Sequence, residues 1–188
     1  MKKILLLGTG GTIASKQTED GLQPALTAPE ILEYVPGVER YCDIDVKQVC
    51  NIDSTNMSPE IWSQIVRAIE ANYDHYNGFV ITHGTDTMAY TASVLSFMLR
   101  GIAIPVVLTG AQLPMTHPLS DGLENLRTAL AMADSDVAGV FLAFDRKVIL
   151  GCRAVKTRTT DFDAFESVNW PLAATVDGKG LQIRRESI

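Results

Sequence analysis

Ile4-Leu5-Leu6-Leu7-Gly8-Thr9-Gly10-Gly11-Thr12 is a short apolar run that stops abruptly on glycines and threonines. Unbroken hydrophobicity over so few residues, closed by turn residues, reads as a strand buried on both faces. The same character recurs in Ile44 to Cys50, Phe79 to Thr82, Pro105 to Thr109 and Gly139 to Phe144. Four of these runs alternate with segments of helical period, the pattern of an α/β protein with a parallel sheet.

The helical segments carry their own punctuation. Ser58-Pro59 sets an N-cap before a proline at the first helical position. Ile61, Ile65 and Ile69 then repeat at helical spacing, predicting a helix to about Asn72 with one buried face. A second helix is expected from near Thr85 through Tyr90, Val94 and Met98, closing before Gly101. A third covers about Asp121 to Ala133, after the proline-containing loop Gln112 to Ser120. Val140 to Phe144 and Lys147 to Gly151 flank Asp145-Arg146 as a tight hairpin, although Asp-Arg lacks the glycine that such turns favour. Thr157 to Phe165 reads as irregular, and the polar segment Ser15 to Ala28, centred on Thr18-Glu19-Asp20-Gly21, has the length of a lid. The expected fold is a Rossmann-like, parallel-rich sheet flanked by helices, with residues 1–188 as one domain.

Composition narrows the function. The chain has 188 residues, 46% apolar and 20% charged, which excludes disorder and collagen-like structure. A chain of this length buries roughly 70% of its unfolded surface and needs no metal or disulfide staple. Sixteen Lys plus Arg against 22 Asp plus Glu give a formal charge of −6, unsuited to tracking phosphates, so no nucleic-acid partner is expected. Met1-Lys2-Lys3 precedes only the apolar stretch Ile4 to Leu7, too short for a signal peptide, and no later stretch approaches a membrane span. Cys42 and Cys50 bracket a strand that holds them roughly 26 Å apart, beyond disulfide reach. With Cys152 the count is odd, which points to reduced thiols and a cytoplasmic location.

In an open parallel sheet, ligands gather beyond the carboxyl ends of the strands. Here those ends read Gly8-Thr9-Gly10-Gly11-Thr12, Asn51-Ile52-Asp53-Ser54-Thr55, Thr82-His83-Gly84-Thr85-Asp86-Thr87 and Thr109-Gly110-Ala111-Gln112. The first resembles a dinucleotide turn but has Ile13 where the last glycine of GxGxxG belongs, and no acidic residue closes a second strand about 20 residues on. Its glycines still let the backbone approach a ligand and aim amides at an oxyanion. Thr85-Asp86 reads as a helix start, with the hydroxyl as cap and the carboxylate against the positive dipole end. Such a carboxylate stays ionised and suits the ammonium of a small amino acid. His83, His75 and His117 have no companion at metal-ligand spacing and read as structural. Ser54 alone reads as a turn residue, and Lys156 alone as a surface charge. A threonine nucleophile needs a base, however, and a lysine serves where burial and neighbours lower its pKa from about 10.4.

At these residues the chain resembles the L-asparaginase family of bacterial-type amidohydrolases, its cytoplasmic type I branch in particular. Thr9-Gly10-Gly11-Thr12-Ile13-Ala14 and His83-Gly84-Thr85-Asp86-Thr87 are similar to the two active-site signatures, in the family's order. Lys156-Thr157-Arg158-Thr159-Thr160-Asp161 resembles the segment of the family lysine, and Asp53-Ser54-Thr55-Asn56-Met57 the carboxylate-binding turn. The resemblance implies Thr12 as nucleophile, with Thr85 and Lys156 as a second catalytic unit. Asp86 would bind the substrate ammonium, and Ser54 with nearby amides its α-carboxylate. Amides around Gly11 and Thr85 would hold the tetrahedral oxyanion, with Thr55, Gly84 and Ala111 among the substrate contacts. The implied reaction converts L-asparagine to L-aspartate and ammonia through a β-aspartyl enzyme ester, without metal or cofactor. A minor glutaminase action is expected, because one methylene is worth only about 1 to 3 kcal/mol of discrimination.

Two departures stand out. Many members place a tyrosine on the mobile loop where this chain aligns Leu22. Members also carry a smaller C-terminal domain that completes the site of a neighbouring subunit, usually within a homo-oligomer, whereas this chain resembles the N-terminal domain alone. Its end at Arg184-Arg185-Glu186-Ser187-Ile188 reads as a cut before the interdomain linker, so weak or no turnover is expected from it in isolation. Two other readings share the motifs. One is the amidase subunit of a transfer-RNA-dependent amidotransferase, ranked second because the chain begins directly at its first strand. The other is a non-catalytic amino-acid-binding module.

Overall fold

A computed structural model describes residues 1–18, 21–40 and 42–188, with the side chains of Gln17, Thr18, Leu22, Gln23, Pro24 and Glu39 outside the description. The chain runs β1 (Lys3–Gly10), β2 (Ser15–Thr18), β3 (Gly21–Pro24), α1 (Ala28–Leu32), β4 (Asp43–Ile52), α2 (Pro59–Glu70), β5 (Gly78–Thr82) and α3 (Met88–Met98). It continues through β6 (Pro105–Thr109), α4 (Gly122–Ala133), β7 (Gly139–Phe144), β8 (Lys147–Leu150), β9 (Ala154–Lys156), β10 (Phe165–Ser167), β11 (Ala174–Asp177) and β12 (Gly180–Ile183). The main sheet is eight-stranded, in the order β12-β11-β8-β7-β6-β5-β1-β4. Strands β4, β1, β5, β6 and β7 are parallel, and β8, β11 and β12 extend the sheet with antiparallel pairings.

All five apolar runs are strands, and their alternation sorts the core into two layers. Ile4 and Leu6 of β1 pack with Leu126, Ala129 and Leu130 of α4, while Leu5 and Leu7 pack with Ile65 and Ile69 of α2 and Leu95 of α3. Both faces of the sheet are therefore covered, which is why its inner strands tolerate no polar alternation. β4 lies at the edge and is only partly buried, with Asp43, Asp45 and Lys47 guarding it against strand addition.

The structure corrects several expectations. α3 starts at Met88, and residues 85–87 form a turn, so Thr85 is not its cap. The buried side of α3 is Met88, Ala89, Thr91, Ala92 and Leu95, with Tyr90 and Met98 outward. Ser58 has the extended backbone of an N-cap but no capping hydrogen bond, leaving Pro59 to begin α2. The long polar connection Ser15 to Ala28 contains a hairpin, in which β2 and β3 pair antiparallel. Thr27 then donates from its amide and its hydroxyl to the Glu30 carboxylate at 2.7 and 2.8 Å, starting α1. Glu19 and Asp20, at the centre of that segment, lie outside the described residues, as does the Leu22 side chain.

Asp145-Arg146 does turn the β7–β8 hairpin, with both residues left-handed at φ 48° and 60°. Asn125 and Glu124 of α4 brace it, accepting from the Asp145 amide at 2.8 Å and the Arg146 guanidinium at 2.7 Å. Beyond residue 165 the β11–β12 hairpin was not read from the sequence, although Asp177-Gly178 between short apolar stretches is a turn signal. The cysteines are free thiols, and burial pushes that of Cys42 up to about 11. Among the described residues no helix is long and apolar enough to cross a membrane.

Candidate active site

Because β4, β1, β5 and β6 are parallel neighbours, their carboxyl ends share one edge, and the polar turns read from the sequence meet there. Glycines set how closely they meet. A methyl on Gly11 would sit 2.3 Å from the Gly84 nitrogen, one on Gly84 2.6 Å from the Ser54 Cβ, and one on Gly110 2.3 Å from the His83 carbonyl oxygen. The turns after β1, β5 and β6 are thus stacked backbone to backbone, with the Ser54 side chain of a fourth turn against Gly84 and Gly11 at φ +79°. Hydrogen bonds fix the stack: the Gly11 amide donates to Ile52 O at 3.0 Å, Thr9 Oγ1 to Thr82 O at 2.7 Å, and Thr87 Oγ1 to Ser54 O at 2.8 Å.

Lys156 ends β9 and reaches this rim. Its Nζ donates to Thr85 Oγ1 at 2.9 Å and to Asp86 Oδ1 at 2.8 Å. The Lys156 side chain is only 14% exposed, against 61% for Asp86, so this lysine is not the solvated charge its neighbours in sequence suggest. Thr85 Oγ1 donates in turn to Gln112 Oε1 at 3.2 Å. The direction follows from the amide, since Gln112 Nε2 already donates to the carbonyls of Thr159 and Asp161 at 3.0 and 2.9 Å, leaving Oε1 to accept. The Gln112 and Leu113 amides are held by the Asp121 carboxylate. Neither Gln112 nor Asp121 was singled out from sequence as a site residue, and only the position of Gln112 just past a strand end marked it.

Thr12 opens a short helical turn, Thr12–Ala14, beside the Gly11–Gly84 contact, and is partly buried. Among the described residues its hydroxyl has no hydrogen-bond partner, so it is free to engage a ligand. Ser54 is buried at 4% exposure, and the Asp53 carboxylate before it accepts from the Thr55 amide and hydroxyl, both at 2.8 Å. Ala111 is different: its methyl is fully buried in the core below α4, so only its backbone can meet a ligand. Gly84 contributes backbone by packing on Ser54.

His83 is fully buried, and burial pulls its pKa down to about 4, so the ring is neutral. His117 accepts from the Leu119 amide at 3.1 Å within its own loop, and His75 lies in the turn before β5, at the other end of the strands. A cavity of about 600 Å³ is also at that opposite end, between Val35, Arg40, Cys42, Arg127 and Asp134. It includes none of the rim residues, so the site is identified by its chemistry and not by enclosed volume.

The rim carries the Thr12 alcohol, the Thr85 alcohol bonded to the Lys156 amine, the Asp86 carboxylate and a Thr85 amide with no acceptor among the described residues. Polar turns gathered at the carboxyl edge of a parallel α/β sheet are the usual place for a ligand site in this class of fold. The chain belongs to the asparaginase N-terminal domain family, whose profile matches residues 3–188. It is 48% identical to the L-asparaginase of Thermococcus kodakarensis over 98% of its length and 39% identical to L-asparaginase 1 of Escherichia coli K12 over 98%. A glutamyl-tRNA(Gln) amidotransferase subunit from Pyrococcus furiosus is 43% identical over 88%. The thermostable L-asparaginase structure from T. kodakarensis superposes with TM-score 0.90 at 48% identity, covering 97% of this chain and 56% of that one. A probable cytoplasmic L-asparaginase from Campylobacter jejuni superposes at 0.89, with 33% identity over 100% of this chain and 58% of the other. The chain spans 56% and 55% of the lengths of the two asparaginase relatives, and 40% of the amidotransferase relative.

Proposed function

We propose that the rim hydrolyses L-asparagine to L-aspartate and ammonia. The observation that carries this reading is the 2.9 Å hydrogen bond between Lys156 Nζ and Thr85 Oγ1 in a water-poor setting. Thr12 Oγ attacks the side-chain carbonyl carbon, and the developing oxyanion is met by amides near Gly11 and Thr85. The C–N bond then breaks, the hydroxyl proton leaves with ammonia, and a β-aspartyl ester remains on Thr12. Water, deprotonated through Thr85 and Lys156, attacks the ester and releases aspartate. For Thr85 to pass a proton to Lys156, the lysine must first give one up, and the Thr85 hydroxyl hydrogen must swing from Gln112 toward Nζ. Asp86 holds the substrate ammonium, sharing its carboxylate with Lys156, while Ser54 holds the α-carboxylate; Thr55, whose amide and hydroxyl both donate to Asp53, shapes the turn.

The site works in the cytoplasm, within a homo-oligomer, and is completed by sequence corresponding to the part of the asparaginase relatives that this chain does not span. Ammonia release from L-asparagine tests the proposal, with the chain alone and with that missing portion supplied. Turnover that rises strongly on addition, and drops by about a hundredfold or more in Thr12→Ala and Lys156→Met, supports it. No ammonia under either condition refutes it, and full turnover by the chain alone refutes the need for completion. The amidotransferase relative carries a second reading, which gains if glutamine and not asparagine is the amide consumed.

A further inference from the structure

Beneath the rim, Trp62 of α2, Thr91 of α3 and His83 form a chain that the reaction above does not use. The indole Nε1 of Trp62 donates to Thr91 Oγ1 at 2.8 Å, Thr91 Oγ1 lies 2.8 Å from His83 Nε2, and His83 Nδ1 lies 2.7 Å from the Gly84 carbonyl oxygen. Directions follow from chemistry. A carbonyl only accepts, so Nδ1 carries the proton. The buried ring is neutral, so Nε2 is bare and accepts the Thr91 hydroxyl hydrogen, while the indole, a donor only, takes a Thr91 lone pair. Every polar atom of the chain is thereby satisfied in one arrangement.

The end of this chain is a peptide of the active site. A trans peptide points its C=O and N–H in opposite directions. Tying the Gly84 carbonyl to the buried ring turns the Thr85 amide N–H outward. Thr85 is 7% exposed, and its N–H has no acceptor among the described residues, the signature of a donor kept for a ligand. We propose that Trp62, Thr91 and His83 are positioning residues, a buried relay that locks the Gly84–Thr85 peptide so that the Thr85 amide faces the anionic oxygen of substrate or product. The ligand's identity rests on the reading above; the relay does not.

Nitrogen-15 NMR of histidine-labelled protein is expected to show His83 protonated at Nδ1 and bare at Nε2. Thr91→Val removes both bonds of the hydroxyl, whereas Thr91→Ser keeps them. In Thr91→Val the His83 tautomer balance and the Thr85 amide resonance should move, and L-aspartate binding by calorimetry should weaken about tenfold; Thr91→Ser should stay within about twofold. Trp62→Phe, the variant to use if Thr91→Val does not fold, should shift the same signals less. An Nε2–H tautomer in the unmodified chain overturns the relay, as does a Thr85 amide unmoved in the folded variants. If the unmodified chain binds no aspartate even with the missing portion supplied, the asparagine reading fails, and the two NMR comparisons still decide the relay.

Discussion

The backbone of Gly11 lies so close to that of Gly84 that no side-chain carbon fits between them: a methyl group on Gly11 would sit 2.3 Å from the Gly84 nitrogen. This contact joins the turn carrying Thr12 to the turn carrying Thr85, with no intervening layer of side chains. It explains how residues from β1 and β5 can act on one small molecule.

Gly11→Ala is therefore expected to harm both stability and binding. The residue sits at φ 79° and ψ −178°, a conformation reserved almost wholly for glycine, at a cost of about 1 to 3 kcal/mol before any clash is counted. Gly178, with open space where a methyl would go, is the control and should tolerate alanine with little change. Urea midpoints compare the two. Equal midpoints would mean that the Gly11–Gly84 contact is slack.

The buried histidine makes stability depend on pH. His83 falls from 6.5 to about 4 on folding, so the unfolded chain binds the extra proton between those values. Its contribution is complete above about pH 6.5 and is lost as pH falls toward 4, a change of about 3 kcal/mol. Glu30, held low by the Thr27 amide, and Asp45, held low by its bond to Lys3, act only further down. Asp145, raised by burial, works in the opposite sense. Denaturant titrations across this window should show a slope that His83→Gln removes; the same slope in the variant would assign it elsewhere.

Gln112 links the Thr85 hydroxyl to the segment after Lys156 through bonds to Thr159 O and Asp161 O. Gln112→Leu keeps bulk and removes these bonds, for an expected loss of about 1 to 3 kcal/mol. Hydrogen exchange in residues 157–164 should accelerate, with exchange in β1 and β5 unchanged. Unaltered protection of 157–164 would show that the ion pairs of Arg158 with Asp163 and Glu166 hold the segment by themselves.

The sheet and its parallel edge were legible because a strand buried on both faces leaves an unbroken apolar run, as in Ile4 to Leu7 and Phe79 to Ile81. The rim residues were legible because such strands end where ligands bind, and Thr12, Ser54, Thr85 and Asp86 all lie there. Lys156 was legible only through the family motif, since nothing local distinguishes it from Arg153 or Arg158. The start of α3 was misplaced because Thr85-Asp86 has the chemistry of a cap, yet the Thr85 hydroxyl is taken by Gln112 and Lys156. Gln112, Thr91 and Trp62 escaped notice because each acts through contacts with remote segments, for which one sequence carries no period.

The Asp145-Arg146 turn shows a local rule overridden by its surroundings. Arg146 holds φ 60° without being glycine, and its exposed pair with Glu124 offsets part of the strain. Arg146→Gly removes both effects, about 1 kcal/mol of backbone strain against a surface ion pair weakened by solvent screening. The variant should be neutral or slightly more stable in urea; a clear loss would show that the Arg146–Glu124 bond anchors the hairpin to α4.

The most direct test of the proposed chemistry is a crystal structure of the chain with L-aspartate. The expected density places the α-carboxylate at Ser54, the ammonium at Asp86, and the side-chain carboxylate between the hydroxyls of Thr12 and Thr85. Aspartate bound away from this edge, or a Thr12 hydroxyl turned from it while Thr85 and Lys156 stay paired, would contradict an asparagine-hydrolysing site.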